Sequence, residues 1–285
     1  MNAVKTAFLM ALLFALFIFI GGLIGGKTGM WIAFLLALTI NLISFWFSDK
    51  IVLSTMRAIP ADEKSYPSLH RIVANLAMKM GIPKPRIYII PTNHPNAFAT
   101  GRNPQNSAVA VTKGLLKMLD EDELEGVIGH ELTHIKNRDT LISTIAASIA
   151  GAIMLLANWA RWTFWLGTFD EREERGAGLL ALLLIAILAP IAALLIQMAI
   201  SRTREYSADE GSARATRNPR ALASALEKIA YGARKLPLQV NPECQHLFIV
   251  QPISGDWIAS LFSTHPPVRK RIQRLLKLER ELYLK

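Results

Sequence analysis

The chain has 285 residues, 52% of them hydrophobic, with 32 Lys and Arg against 22 Asp and Glu for a formal net charge of +10. Mean hydropathy is positive in spite of that charge, which implies greasy segments alternating with charged ones. The single cysteine, Cys244, excludes an internal disulfide framework and suits a reducing compartment, where it is expected to be an ordinary small core residue.

Residues 4–24 are nearly all apolar, and residues 30–47 form a second apolar run. About 20 residues at 1.5 Å rise cross a hydrocarbon core of roughly 30 Å, so residues 1–48 are predicted to form a transmembrane hairpin. A secretory signal would also begin with a Lys5 and an apolar stretch, but the glycine-rich run 21–26 offers no small-residue cleavage site. Gly21, followed four residues later by Gly26-Lys27-Thr28, matches the nucleotide-binding P-loop expression. A phosphate cradle needs a strand before it and a soluble helix after it, and here both flanks are membrane spans, so an inter-helix turn is expected.

Residues 49–140 read as a water-soluble segment. Residues 68–80 form an amphipathic helical pattern that stops at Gly81 and the Pro83-Lys84-Pro85 break. Residues 86–90 and 107–112 read as strands, with a third possible at 96–100, and residues 101–106 are turn chemistry. A small antiparallel sheet is therefore expected beside helices, an α+β arrangement. An exposed edge at Asn96, Ala97, Phe98 and Ala99 could hold an extended peptide by strand addition; an internal strand without substrate contact fits the pattern equally well.

The sequence then runs Asp122-Glu123-Leu124-Glu125-Gly126-Val127-Ile128-Gly129-His130-Glu131-Leu132-Thr133-His134-Ile135. Leu124, Val127, Ile128 and Ile135 recur at helical intervals, and residues four apart on a helix share a face. The imidazoles of His130 and His134 therefore converge, as a zinc ion requires, and Glu131 is placed to take a proton from an attacking water. That is metalloprotease chemistry. The competing account is a polar helix face with two unrelated histidines.

Residues 141–159 are apolar and rich in small residues, which permit close helix contact in lipid. Trp159, Trp162 and Trp165 mark an interface with water; a buried core helix is the alternative. Residues 177–200 are a fourth expected span, kinked at Pro190. Residues 161–178 hold three Arg against four acids, whereas residues 201–285 hold fifteen Lys and Arg against eight acids. Basic flanks stay on the cytoplasmic side, so the catalytic segments 49–140 and 201–285 and both termini are predicted to face the cytoplasm. The same bias accounts for the high pI without nucleic-acid binding.

With the acids at 170–174 across the membrane and Asp139 too near along the helix, Glu205 and Asp209 are left to complete the site. Both sit at helical spacing, one as a ligand and one as the partner orienting an imidazole. A solvated face pairing with Arg202 or Arg204 is the plainer account. His70, His94 and His246 lack ligand-like spacing. The basic run 268–285 reads as a helix lying on anionic lipid, or as one packed on the catalytic domain with its basic face solvated.

Gly129-His130-Glu131-Leu132-Thr133-His134, Arg204-Glu205-Tyr206-Ser207-Ala208-Asp209, Asn96-Ala97-Phe98-Ala99-Thr100-Gly101 and Thr264-His265-Pro266-Pro267 together resemble the HtpX family of membrane-bound zinc metalloproteases, relatives of the CAAX prenyl proteases. The resemblance implies a zincin-like, mostly helical catalytic domain with four transmembrane helices. It implies one zinc held by His130, His134 and Glu205, with Glu131 as general base. It also implies protein quality control and stress response at a bacterial inner membrane, with misfolded or damaged membrane proteins as substrates. His265 would lie near the active site, where it could donate to the tetrahedral oxyanion; a surface histidine is the other reading. A CAAX-type processing protease and a non-enzymatic scaffold with structural zinc remain the alternatives.

Overall fold

The computed structural model describes residues 2–140, 202–235 and 266–283. The third and fourth expected spans, the loop between them, Cys244, His246 and His265 lie outside these residues. Among the described residues the elements are α1 (Asn2–Thr55), β1 (Ile59–Pro60), α2 (Pro67–Met80), β2 (Arg86–Ile90), β3 (Ala97–Asn103), β4 (Asn106–Thr112), α3 (Lys113–Met118), α4 (Glu121–Asn137), α5 (Arg202–Thr216), α6 (Pro219–Lys235) and α7 (Val268–Tyr283).

Helix α1 is assigned without a gap, yet it is not straight. Phe14 and Phe34 would lie about 30 Å apart along a straight helix, and their ring centroids are 5.6 Å apart. The chain therefore doubles back, with Gly26 at φ 55° supplying the left-handed residue of the bend. Gly26-Lys27-Thr28 sits in that bend inside helical chain, with no strand before it to build a phosphate cradle. Among the described residues, no helix is long and apolar enough to cross a membrane. The described residues of α1 nevertheless expose a large apolar surface that includes Phe19, Trp31 at 68%, Ile32, Leu35 and Trp46.

The sheet order is β1-β2-β4-β3. The expected antiparallel sheet is in fact mixed: β3 and β4 are antiparallel, β1 and β2 are antiparallel, and β2 and β4 run parallel. A tight turn at Asn103 and Asn106, closed by Asn106 N–H donating to Asn103 Oδ1 at 2.8 Å, folds β4 back on β3. Strand β4 then inserts between β3 and β2, and so runs the same way as β2. At Gly101 the φ is 127°, and a Cβ would stand 2.2 Å from the Asn106 carbonyl oxygen, so only glycine fits the irregular pairing there.

Strand β4 is buried on both faces. Val109 and Val111 face the helical core, while Ala108 and Ala110 face the end of α1, where Val52, Leu53, Ile90 and Phe98 join them. An ion pair from Arg86 to Asp49 and the Arg102 guanidinium 4.2 Å from the Trp46 ring fasten α1 to the sheet. β3 is an edge strand among the described residues, held between the end of α1 and α4.

Helix α4 starts at a capping box. Asp120 accepts from Glu123 N–H at 2.9 Å while Glu123 accepts from Asp120 N–H at 3.1 Å. The Glu123 carboxylate also accepts from Ser224 Oγ and Lys228 Nζ, each at 2.7 Å, tying α4 to α6. Apolar Leu124, Val127, Ile128, Leu132 and Ile135 enter the core with Leu69, Leu76 and Leu226. Arg138, left-handed at φ 58°, ends the helix.

Helix α5 crosses α4 closely because small residues meet there. A Cβ on Gly129 would lie 2.7 Å from Ser212 Oγ, and one on Gly211 would lie 2.5 Å from Thr133 Cγ2. Ser212 Oγ donates to the Gly126 carbonyl at 2.6 Å across the same contact. Gly129→Val is therefore expected to cost about 1–3 kcal/mol through overpacking, read as a lowered Tm in detergent; an unchanged Tm would contradict the tight crossing.

Burial acts to raise the Glu123 carboxyl, but hydrogen bonds from Lys228, Ser224 and the Asp120 N–H outweigh it and hold it below its ordinary value. A depressed acid adds stability above its unfolded pKa, about 4.3, and loses it as pH falls through the folded value. Thermal melts from pH 6 to pH 3 should show a shallower acid limb for Glu123→Gln than for the wild type.

Candidate active site

On α4 the helical spacing brings His130 Nε2 and His134 Nε2 to 3.1 Å. Glu205, in the first turn of α5, places Oε2 3.6 Å from His130 Nε2 and Oε1 3.5 Å from His134 Nε2. These three donors lie within 4.8 Å of one another, and among the described residues they are the one His, Cys, Asp or Glu group close enough to hold an ion. Tetrahedral zinc with bonds near 2.0–2.2 Å separates its ligand atoms by about 3.3 Å. The 3.1 Å between the two imidazole nitrogens is close to that value, and each faces one Glu205 oxygen at 3.5–3.6 Å, so the donor set fits such an ion.

Each imidazole has its other nitrogen on a carboxylate. His130 Nδ1 lies 3.0 Å from Asp209 Oδ1, and His134 Nδ1 lies 3.1 Å from Asp139 Oδ2. With Nδ1–H donating outward, the Nε2 lone pairs are turned to the centre. Asp139 is thus kept from the centre, as its place in the chain suggests, yet the left-handed turn at Arg138 brings it back onto His134. That contact has no counterpart in the spacing of the motif.

The same carboxylates favour protonation of the rings. Burial works to lower His134, but hydrogen bonds to Asp139 and Glu205 dominate and push it up to about 10. His130 is raised as well, by Asp209 and Glu205 against burial. An ion entering the site must displace protons, so its affinity falls as pH falls.

Glu131, 4% exposed, is raised by burial, and its carboxylate accepts from the Ala99 N–H of β3. A carboxyl held toward neutrality beside a metal-capable group suits a general base. Of the expected strand residues, Asn96, Ala97 and Phe98 are buried and Ala99 is half-buried beside Glu131. The side chain of Phe98 packs under α1, away from the centre.

Arg271 of α7 is a part of the site that the sequence reading missed. Fully buried, it donates from Nε to Asp209 Oδ2 at 2.9 Å and from Nη2 to Asp209 Oδ1 at 2.7 Å, with Nη1 3.7 Å from Glu205 Oε2. The plainer account of Glu205 and Asp209 as a solvated face does not hold, because both are buried and Asp209 pairs with Arg271. Burial acts to raise the Asp209 carboxyl, and Arg271 with His130 brings it below its ordinary value. The signal was present in the sequence as an arginine within the apolar stripe Val268, Ile272, Leu275 and Leu278. His70 contacts the Ala61 carbonyl 3.1 Å away, and His94 is buried outside the donor group.

Residues 63–279 match the profile described as Peptidase family M48. The chain is 58% identical over 280 residues to "Protease HtpX homolog" of Pyrococcus furiosus, covering 98% of this chain and 96% of the relative. It is 52% identical over 286 residues to the protein of the same description from Persephonella marina, covering 99% of each. The crystal structure of S. mikatae Ste24p shares the fold with a TM-score of 0.54 at 17% identity, over 96% of this chain and 64% of that one. The profile spans most of the chain and the relatives are more than half identical along nearly all of it, so the helical pair of histidines belongs to a metalloendopeptidase of peptidase family M48, of the HtpX type.

Proposed function

We propose that the chain is a membrane-embedded zinc endopeptidase that cuts misfolded or damaged membrane proteins on the cytoplasmic side of a cell (inner) membrane. The observation that carries this reading is the spacing of His130, His134 and Glu205 with Glu131 beside them. His130, His134 and Glu205 would hold the ion, and zinc bound there would polarise a carbonyl and acidify water. Glu131 takes the proton from the attacking water at its carboxylate and returns it to the departing amine nitrogen. Asp209 and Asp139 orient the two rings. The Ala99 N–H holds the Glu131 carboxylate against β3, whose backbone edge would receive an extended substrate segment as an added strand. His265 is assigned the role of donor to the oxyanion that forms at the attacked carbonyl.

Membrane placement is supported by the two apolar runs of the doubled-back α1 and by its exposed apolar surface, far larger than scattered single residues would give. Residues 141–159 and 177–200 would add two more spans.

Zinc content and casein cleavage should be measured for wild type, Glu131→Gln and Glu205→Ala purified in detergent. Glu131→Gln is expected to keep zinc and lose cleavage, and Glu205→Ala to lose most of both. Cleavage by Glu131→Gln at the wild-type rate would remove this centre as the active site and leave a structural-zinc scaffold as the better account. Lowering the pH from 8 to 6 should weaken zinc binding in an equilibrium competition with a chelator, because both imidazoles are biased toward their protonated forms. His265→Ala should lower kcat about 10²-fold with KM little changed, and intact turnover would end its role.

A further inference from the structure

Helix α7 is strongly basic, and most of its charges are placed as expected: Arg269, Lys270, Arg274 and Lys277 are exposed. Arg271 is the exception at 0% exposure, one turn before the buried Leu275 and packed on the face that meets α5 and α6. A guanidinium removed from water is costly unless its donors are met by a carboxylate of matching geometry. Asp209 supplies that match. Its Oδ2 takes Arg271 Nε at 2.9 Å, and its Oδ1 is shared between Arg271 Nη2 at 2.7 Å and His130 Nδ1 at 3.0 Å. Arg271 Nη2 is itself 3.4 Å from His130 Nδ1, because both nitrogens converge on one oxygen. Both carboxylate oxygens are thereby fixed, and the carboxylate cannot rotate away from the imidazole. On the other side Arg271 Nη1 faces Glu205 Oε2 at 3.7 Å.

We infer that Arg271 is a positioning residue of the metal centre: its fork locks Asp209, Asp209 locks the His130 ring, and helix α7 is thereby a working wall of the site. The inference rests on the zinc-peptidase reading above and extends it to a residue 141 positions from His130 in the chain. A lysine would keep the charge but not the two parallel bonds, so the geometry separates a positioning role from a purely electrostatic one.

The test is zinc affinity of the full chain in detergent, by competition with a chelator, for wild type, Arg271→Gln, Arg271→Lys, Asp209→Asn and the Arg271→Gln/Asp209→Asn double variant. Arg220→Ala, which removes an exposed tie from α6 to Glu279 of α7, is the control for loosening the helix. Arg271→Gln should weaken affinity about 10- to 100-fold, Arg271→Lys should recover only part of that loss, and Arg220→Ala should stay within about twofold of wild type. Because Arg271 acts through Asp209, the double variant should bind zinc no more weakly than Asp209→Asn alone. Affinity of Arg271→Gln equal to wild type, or losses that multiply in full in the double variant, would overturn the inference while Glu205→Ala still loses zinc. A wild-type chain that takes up no zinc would instead overturn the zinc reading on which it stands. Should Arg271→Gln fail to fold, as judged by circular dichroism, Asp209→Asn against the double variant still decides, since removing both charges avoids an unpaired buried carboxylate.

Discussion

The close crossing of α4 and α5 is the contact on which the site depends. The two histidines are fixed relative to each other by a single helix, but Glu205 and Asp209 arrive from another helix and reach them only if the two backbones approach. Gly129 against Ser212 and Gly211 against Thr133 permit that approach. Thr133 Oγ1 turns inward to the Gly129 carbonyl at 2.8 Å, and Ser212 Oγ donates to Gly126, so the hydroxyls at the crossing are satisfied. Donor separations of 3.1 to 3.6 Å leave little slack, and displacements of about half an ångström are already large for such a centre. Side-chain volume at two glycines is therefore a functional quantity.

Around that crossing the protein buries an unusual density of charge. Glu131, Glu205, Asp209 and Asp139 are all nearly inaccessible, and they face two imidazoles and the guanidinium of Arg271. Buried ion pairs are a poor route to stability, since desolvation offsets most of the attraction. Their arrangement is better explained by position: each carboxylate fixes one nitrogen or receives one proton. The guanidinium nitrogens of Arg204 are also enclosed and have no hydrogen-bond partner among the described residues, and burial lowers that group from its ordinary value. Arg204 and Arg271 thus both interact electrostatically with Glu205.

The sheet connects this centre to α1. Strand β3 has the end of α1 on one face and α4 on the other, with alanines in β4 allowing the approach on the α1 side. Thr140 Oγ1, just beyond α4, donates to the Gly101 carbonyl at 2.8 Å and pins the irregular end of β3. The strand nearest Glu131 is therefore held from three directions.

The helical motif, the soluble helix that becomes α2, the β2 and β4 segments and the pairing of acids at 205 and 209 were all legible in the residues. Each depends on short-range periodicity, where position along one element dictates direction. The mixed sheet was not legible, because alternation marks a strand without saying which neighbour it joins, and β4 fits beside β2 only once the β3 turn has reversed the chain. Asp139 lies outside the His130, His134 and Glu205 group, and its contact with His134 needed the left-handed residue at Arg138. Arg271 carried a clue in its apolar stripe, yet its partner lies 62 positions earlier on a different helix. The order of amino acids settled which groups could do chemistry, since that follows from side-chain type and local spacing. Which of them meet was left to tertiary packing, because the distance between two helices is set by the volumes at their crossing and not by either helix alone.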